Sequence, residues 1–235
     1  MIQKCLVCAL LSLTSSVWAD IELGIAAYNE GNYATALDEF QEASDSGDPV
    51  GDHLLASLYY QGHGVKKDIA KAVELFERAA SQGYPASHAN LGLMYQNGDG
   101  VQADSKKALF HYSEAAKMGD YQSSFRLGQI YRKGWLDIKP SAEKAVALYR
   151  IGAVYGHVPS VNEFALMFAQ GMGVPNDFVE SYAWMQYAAA HKDPSATKNL
   201  AQLTKILKEQ GNLEAAKERA VSVNELIAAN LAEAF

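Results

Sequence analysis

Apolar residues recur along most of the chain at the three- and four-residue spacing of amphipathic helices. One such stretch runs from Leu54 to Tyr59 and a second runs from Ala72 to Ala80, with a polar, glycine-rich segment between them. The same order of helix, loop and helix returns at 91–116. Each occurrence predicts a helical hairpin whose two helices have one apolar face each.

The hairpins return at a nearly fixed interval. Unit starts at Gly47, Gly83, Gly119 and Gly156 lie 36, 36 and 37 residues apart. Periods of this length are typical of solenoids, in which a hairpin buries its apolar face only by stacking on its neighbours. The sequence therefore predicts an all-α chain of stacked helical hairpins.

A glycine-rich loop punctuates three of the hairpins, as QGHGVKKD at 61–68, QNGDGVQAD at 96–104 and QGMGVPND at 170–177. Phosphate-binding glycine loops follow a strand and form one site, whereas these loops follow helices and occur three times. We therefore expect the glycines to end the first helix in the left-handed conformation. The residues expected to cap the following helices are Asp68, Asp104, Ser141 and Asp177.

The run LGLMYQNGDGVQADSKKA, Leu91–Ala108, resembles the Sel-one-like repeat, a relative of the tetratricopeptide repeat, and the resemblance covers residues 47–191. The segment Leu23–Ala43 is similar to an ordinary tetratricopeptide unit. Residues after His191 resemble the terminal helices that close such arrays. The resemblance implies a right-handed α/α solenoid with a C-terminal capping helix pair.

The repeats and the resemblance together suggest a division of the chain. Its parts are a cleaved signal peptide at 1–19, a tetratricopeptide-like hairpin at 20–46, repeats at 47–82, 83–118, 119–155 and 156–191, and capping helices at 192–235.

The first nineteen residues have the pattern of a secretory signal peptide. Lys4 supplies the positive charge, an apolar run follows from Cys5 to Leu13, and small residues close the segment at Ala19. The apolar run is too short to span a bilayer. We therefore expect a periplasmic protein, with secretion as an alternative, that loses both of its cysteines on cleavage.

The charge of the chain argues against nucleic acid as a ligand. The formal net charge is −7, and no cluster of lysine and arginine is present. Phosphate backbones are bound by such clusters. No stretch beyond the N-terminal segment is long and uncharged enough to predict a membrane-spanning helix.

No arrangement of residues predicts catalysis, a cofactor or a metal. None of the six histidines has a second histidine four residues away on the same helix, the spacing that places two ligands on one face. His53 and His88 are 35 residues apart, so stacking could bring them onto neighbouring helices, yet no third ligand accompanies them. We therefore expect a protein that is not an enzyme and binds neither cofactor nor metal.

The resemblance implies a concave groove lined by the first helix of each hairpin. The groove positions carried over from tetratricopeptide units are Tyr28, Asn29, His53, Ser57, Tyr60, Leu93, Gln96, Phe125, Gln129, Arg132, Asn162 and Leu166. This mixed lining suits an extended peptide or a helix of another envelope or secreted protein. We expect a protein-binding scaffold or adaptor of the bacterial envelope.

Two other functions stay open at this point. One is a protein that binds peptidoglycan or another glycan, or a cell-wall-associated enzyme, since exported repeat proteins work beside peptidoglycan. The other is a periplasmic repressor of a membrane sensor.

The loop Gly134–Pro140 departs from the glycine pattern and carries Trp135. The tryptophan either covers its own hairpin or protrudes as a contact for a partner, since aromatic residues are enriched at interface hot spots.

Overall fold

The structure is a computed structural model that describes residues 20–234, so the predicted signal peptide lies outside the described residues. All regular elements within 20–234 are helices. In chain order they are α1 (20–29), α2 (Tyr33–Asp45), α3 (Pro49–Gln61), α4 (Ile69–Ser81), α5 (Pro85–Asn97), α6 (Ser105–Lys117), α7 (Tyr121–Lys133), α8 (Ala142–Ala153), α9 (Val158–Gln170), α10 (Phe178–Ala190), α11 (Pro194–Gln210) and α12 (Leu213–Glu233).

The helices pair as hairpins in two compact units, which divide between Met118 and Gly119. The first unit contains α1 to α6 and the second contains α7 to α12. Within each unit, a helix packs against the helices before and after it in the chain, as α3 does against α2 and α4. The predicted all-α solenoid of helical hairpins is confirmed, and its two predicted terminal helices are α11 and α12.

The loop glycines end the first helices as the sequence predicts. Gly62, Gly98 and Gly171 adopt the left-handed conformation at the C-caps of α3, α5 and α9. The predicted N-caps of the second helices are confirmed too, because the side chains of Asp68, Asp104, Ser141 and Asp177 each accept a hydrogen bond from a backbone N–H of the helix that follows.

The second glycine of each loop has a further role that its sequence pattern does not reveal. A Cβ atom built on Gly64 would lie 2.5 Å from the carbonyl oxygen of Tyr33, the first residue of α2. A Cβ atom on Gly100 would likewise crowd Ile69, the first residue of α4, and one on Gly173 would crowd Ala142, the first residue of α8. Each of these glycines therefore allows its loop to pack closely against the first residue of a helix in the preceding hairpin.

The irregular loop replaces that second glycine by a residue with a side chain. Leu136 and Asp137 have φ angles of 55° and 58°, the left-handed conformation that glycine adopts in the regular loops. Non-glycine residues rarely adopt this conformation. The loop after α7 therefore keeps the turn of its counterparts at a cost in backbone strain.

One buried ion pair joins three helices of the first unit. The carboxylate of Asp52 on α3 is fully buried and accepts hydrogen bonds from Arg78 on α4, with Nε to Oδ2 at 2.6 Å, and from the hydroxyl of Ser44 on α2 at 2.7 Å. Arg78 also donates to the Ser44 hydroxyl at 2.6 Å. The hydrogen bond that Arg78 donates to Asp52 raises the pKa of Arg78, which keeps the guanidinium charged.

In the second unit, a comparable ion pair joins the last helix, α12, to α10. Arg219 on α12 donates to both carboxylate oxygens of Glu180 on α10, at 2.6 and 2.9 Å, and the indole of Trp184 donates to the same carboxylate at 2.8 Å. Burial alone would raise the pKa of Glu180, but these hydrogen bonds outweigh it and lower the pKa. The terminal helix is thus fixed by charge as well as by its apolar face.

Candidate functional site

Two adjoining hollows open on the first helices of the first unit, on the surface we call the first-helix face of α1, α3 and α5. The first hollow has a volume of about 320 Å³ and a largely apolar wall. Its lining residues are Ile25, Tyr28, Phe40, Leu54, Ser57 and Gln61.

The second hollow has a volume of about 290 Å³ and lies between α3, α4 and α5. Its lining residues are Ser57, Tyr60, Gln61, Phe76, Asn90, Leu93 and Met94. Ser57 and Gln61 line both hollows, so the two hollows adjoin at these residues, and we call them together the recess. A recess with apolar walls and a few amide and hydroxyl groups suits the side chains of a bound peptide.

Four of the predicted groove residues come together in this recess. Tyr28, Ser57 and Tyr60 are half-buried, whereas Leu93 keeps 37% of its surface exposed. The hydroxyl of Tyr28 donates to the side-chain carbonyl of Gln61 at 2.9 Å, which fixes the Tyr28 ring between α1 and α3. Asn29, which follows Tyr28 and is also a predicted groove residue, is exposed on α1.

Two other predicted groove residues of the first unit take part in contacts within the fold. His53 Nδ1 lies 2.9 Å from the Ser87 hydroxyl on α5, and burial lowers the pKa of His53 to about 4. The imidazole is therefore neutral at pH 7 and serves as a hydrogen-bonding group between two hairpins. Gln96 accepts a hydrogen bond from the hydroxyl of Tyr112 at 3.1 Å.

Arg132, a predicted groove residue of the second unit, is engaged with a neighbouring helix. Arg132 on α7 forms an ion pair with Glu163 on α9 at 3.0 Å, and both side chains are mostly buried. The angles of this pair are poor, because Arg132 Nε and Glu163 Oε2 have no hydrogen-bond partner among the described residues. The one described cation of the predicted groove list is thus already paired.

The remaining predicted residues of the second unit are half-buried. The ring of Phe125 packs against Tyr149 and His157, with ring centroids 5.8 and 5.7 Å apart. The amide of Gln129 accepts a hydrogen bond from Arg126 at 3.4 Å. The other two are Asn162 and Leu166 on α9. Their contact with a partner stays a prediction, as it does for the other residues of the predicted groove.

Trp135 in the irregular loop keeps 40% of its surface exposed. The ammonium group of Lys133 lies 4.4 Å from the centre of the indole ring, a cation–π contact. The tryptophan is thus held by a neighbour of its own hairpin while its remaining surface faces solvent. A role as a protruding contact stays a prediction.

His53 and His88, which their sequence spacing suggests as a pair, have other partners in the structure. His88 on α5 meets His111 on α6, with the two Nδ1 atoms 3.0 Å apart, while His53 meets Ser87. Burial, followed by the charge of His88, lowers the pKa of His111 to about 4, so a neutral pair shares one hydrogen bond. Among residues 20–234, no group of three histidine, cysteine or carboxylate side chains is placed to hold a metal ion.

Several residues of the recess were not predicted from the sequence. Some of them could have been found from helical spacing, because they lie three or four residues from a predicted groove residue. Gln61 lies four residues after Ser57, Leu54 lies three before it, and Ile25 lies three before Tyr28, so each shares a face with a predicted residue. Asn90 lies three residues before Leu93 in the same way. The groove positions taken from tetratricopeptide units include too few residues of this face.

No helix within residues 20–234 has both the length and the apolar character that crossing a bilayer requires.

Comparisons with known proteins agree with this architecture. The model of the Sel1 repeat matches residues 49–84, 85–120, 122–153 and 162–193. The solved structure of a protective antigen present in uropathogenic Escherichia coli strains, which displays an SLR fold, is 28% identical, has a TM-score of 0.75, and matches over 93% of this chain and 47% of its own.

A Sel1 repeat protein from Oxalobacter formigenes is also 28% identical, with a TM-score of 0.70 over 73% of this chain and 49% of its own. The chain thus spans about half the length of these two structures. No curated protein matches the chain. Because the four matched repeats occupy more than half of its residues, the chain belongs to the Sel1 repeat family.

Proposed function

We propose that this protein is a non-enzymatic scaffold or adaptor of the bacterial cell envelope that binds a segment of a partner protein on the first-helix face of its first unit. Sel1 repeat proteins are typically protein-interaction scaffolds. The observation that carries the proposal is the recess, two adjoining hollows that share Ser57 and Gln61 in their walls. Its apolar walls offer burial to aliphatic side chains, and its amide groups offer hydrogen bonds to a peptide backbone.

The contacts in the first unit favour this face over an enzymatic centre. His53 and His111 are the described histidines whose pKa is lowered furthest, to about 4, and burial is the main cause for both. Both meet a neighbouring helix side chain, Ser87 or His88, within 3.0 Å. Groups held in this way stabilise the stack and are not poised to exchange protons with a substrate.

The location in the envelope is part of the same proposal. The pattern of residues 1–19 is that of a cleaved signal peptide, which supports export to the periplasm, with secretion as a further step. N-terminal sequencing of the protein recovered from a periplasmic extract should begin at Asp20. A protein that keeps Met1 and stays in the cytoplasmic fraction contradicts the location but leaves the binding face untouched.

Site-specific photo-crosslinking in the native cell tests the binding face. Probes replace Tyr60 and Leu93 in the recess and Arg132 in the second unit, while probes at Glu74 and Glu114 on second helices serve as controls. We expect Tyr60 and Leu93 to give one discrete adduct, identified by mass spectrometry as the same partner peptide. Adducts only from Glu74 or Glu114 would refute the first-helix face, and cell-wall glycan in place of protein would refute the protein partner.

A further inference from the structure

The hairpin that flanks the recess is acidic throughout. Residues 20–46, which contain α1 and α2, include seven Asp and Glu side chains and no lysine or arginine, and the first cation after Asp20 is Lys66. This one hairpin thus contains as much negative charge as the formal net charge of −7 of the whole chain. The rest of the chain is close to electrical balance.

These carboxylates form no ion pairs among residues 20–234, although the charge of Asp45 contributes to the raised pKa of Arg78. Glu39 shows the consequence, because burial and the nearby charges of Asp20, Glu42 and Asp38 raise its pKa. A hairpin with repelling, unpaired carboxylates gains stability when a cation approaches it.

The acidic hairpin shares α1 with the first hollow. Ile25 lines that hollow and keeps 40% of its surface exposed, and Leu23 nearby is 53% exposed. Glu22 lies three residues before Ile25, so its exposed side chain stands on the same side of α1. The apolar wall of the hollow therefore adjoins negative charge.

We propose that the segment bound in the recess is a cationic amphipathic stretch of a partner protein. Its aliphatic side chains fill the two hollows, and its lysine or arginine residues face the carboxylates of 20–46. This inference rests on the proposed function and adds the chemistry of the partner to it. The same charge repels nucleic acid and anionic lipid surfaces, so neither fits this end of the molecule.

Two synthetic peptides test the charge of the partner. One is an amphipathic peptide of leucine and lysine, and the other has every lysine replaced by glutamate. Each carries a fluorophore, and fluorescence anisotropy measures its binding to the protein expressed from the full-length gene. We expect the lysine peptide to bind, and the glutamate peptide to bind at least about tenfold more weakly, since several exposed charge contacts of modest strength are reversed.

Two sets of variants separate the charge from the recess. The acidic-hairpin variant carries Glu22→Gln, Glu30→Gln and Asp38→Asn, and its matched control carries Glu209→Gln, Glu218→Gln and Glu225→Gln in the second unit. The recess variants are Ser57→Met, on the border of the two hollows, and Ile25→Gln, at an exposed position that tolerates a polar side chain. Circular dichroism melting checks that each variant folds.

We expect the acidic-hairpin variant to weaken the lysine peptide about tenfold and to flatten its salt dependence, whereas the control variant leaves both unchanged. Each recess variant should weaken the same peptide several-fold. If both triple variants weaken binding equally, or the recess variants have no effect, the attraction is general and the inference is wrong. If the recess variants act but both peptides bind alike, the recess still binds a segment and only the charge of the partner is refuted.

Discussion

The close approach of the second loop glycine to the preceding hairpin makes a specific prediction about stability. Gly64 has a φ angle of +70°, and a Cβ at this position would lie 2.5 Å from the carbonyl oxygen and 3.0 Å from the Cβ of Tyr33. Gly47 lies in the same part of the chain with a φ of +80°, and nothing lies within 4 Å of its would-be Cβ. The two glycines therefore share the backbone requirement and differ only in their surroundings.

This difference gives the two alanine variants different costs. A left-handed φ costs a residue with a Cβ about 1–2 kcal/mol, and both variants incur it. Overpacking against a fixed neighbour costs about 1–3 kcal/mol more, and only Gly64→Ala incurs it because its nearest atoms are backbone. We expect Gly47→Ala to lower the free energy of unfolding by about 1–2 kcal/mol and Gly64→Ala to lower it by about 2–5 kcal/mol.

Urea unfolding followed by far-ultraviolet circular dichroism measures the total effect. Because stacked hairpins do not always unfold together, hydrogen exchange followed by mass spectrometry locates it. We expect the amides of residues 20–46 to exchange faster in Gly64→Ala than in Gly47→Ala, since the displaced contact joins the loop to α2. Equal losses of stability, with equal exchange in 20–46, would show that these glycines serve only the backbone turn.

Three further predictions concern buried charges. Asp52→Ala should lower the free energy of unfolding by about 2–3 kcal/mol, less than for a fully buried pair, because the Arg78 side chain is 47% exposed and regains water. The pKa of Glu180 is lower in the folded protein than in the unfolded chain, so its ion pair stabilises the fold at neutral pH and this stability is lost as the pH falls through the folded pKa. Arg219→Met should therefore destabilise the protein at pH 7 and make its stability depend less on pH below about pH 4.5. Because the pKa of His53 is lowered to about 4, the unfolded chain binds a proton first, so stability should fall from about pH 6.5 to about pH 4, and His53→Gln should reduce that slope.

The predictions for Asp52 and His53 have internal comparisons in the same chain. Glu74→Ala removes a carboxylate from an exposed pair with Lys71 and should change stability by less than about 1 kcal/mol. His191 is exposed, so His191→Gln serves as the control for the pH profile measured by thermal melting. An Asp52→Ala variant as stable as Glu74→Ala, or a pH slope that His53→Gln leaves intact, would contradict the burial argument.

Sequence periodicity predicted the hairpins and their caps because these depend on local chemistry. A left-handed residue must end α3 and a side-chain oxygen must begin α4, and Gly62 and Asp68 satisfy both needs within eight residues. Such requirements can be read from neighbouring residues alone. The positions of the loops and helices therefore followed from the repeat itself.

The pairs that join different hairpins could not be predicted in this way. The spacing of His53 and His88 suggests that the two meet, but His88 lies against His111 and His53 lies against Ser87 instead. Arg132 pairs with Glu163 on another first helix, a contact that the repeat period likewise does not predict. A period of 36 or 37 residues fixes the order of the helices but not the angle at which their side chains face one another.

The residues available for binding are those that the stack leaves unused, and the two units differ in this respect. In the second unit, Phe125 packs between two rings and Arg132 is paired, so these two predicted groove residues take part in the packing of the fold. In the first unit, the corresponding face keeps an open recess with Leu93 and Ile25 partly exposed. Because the repeated positions serve packing in these hairpins, we expect recognition to depend on positions that differ between hairpins, such as the unbalanced carboxylates of residues 20–46.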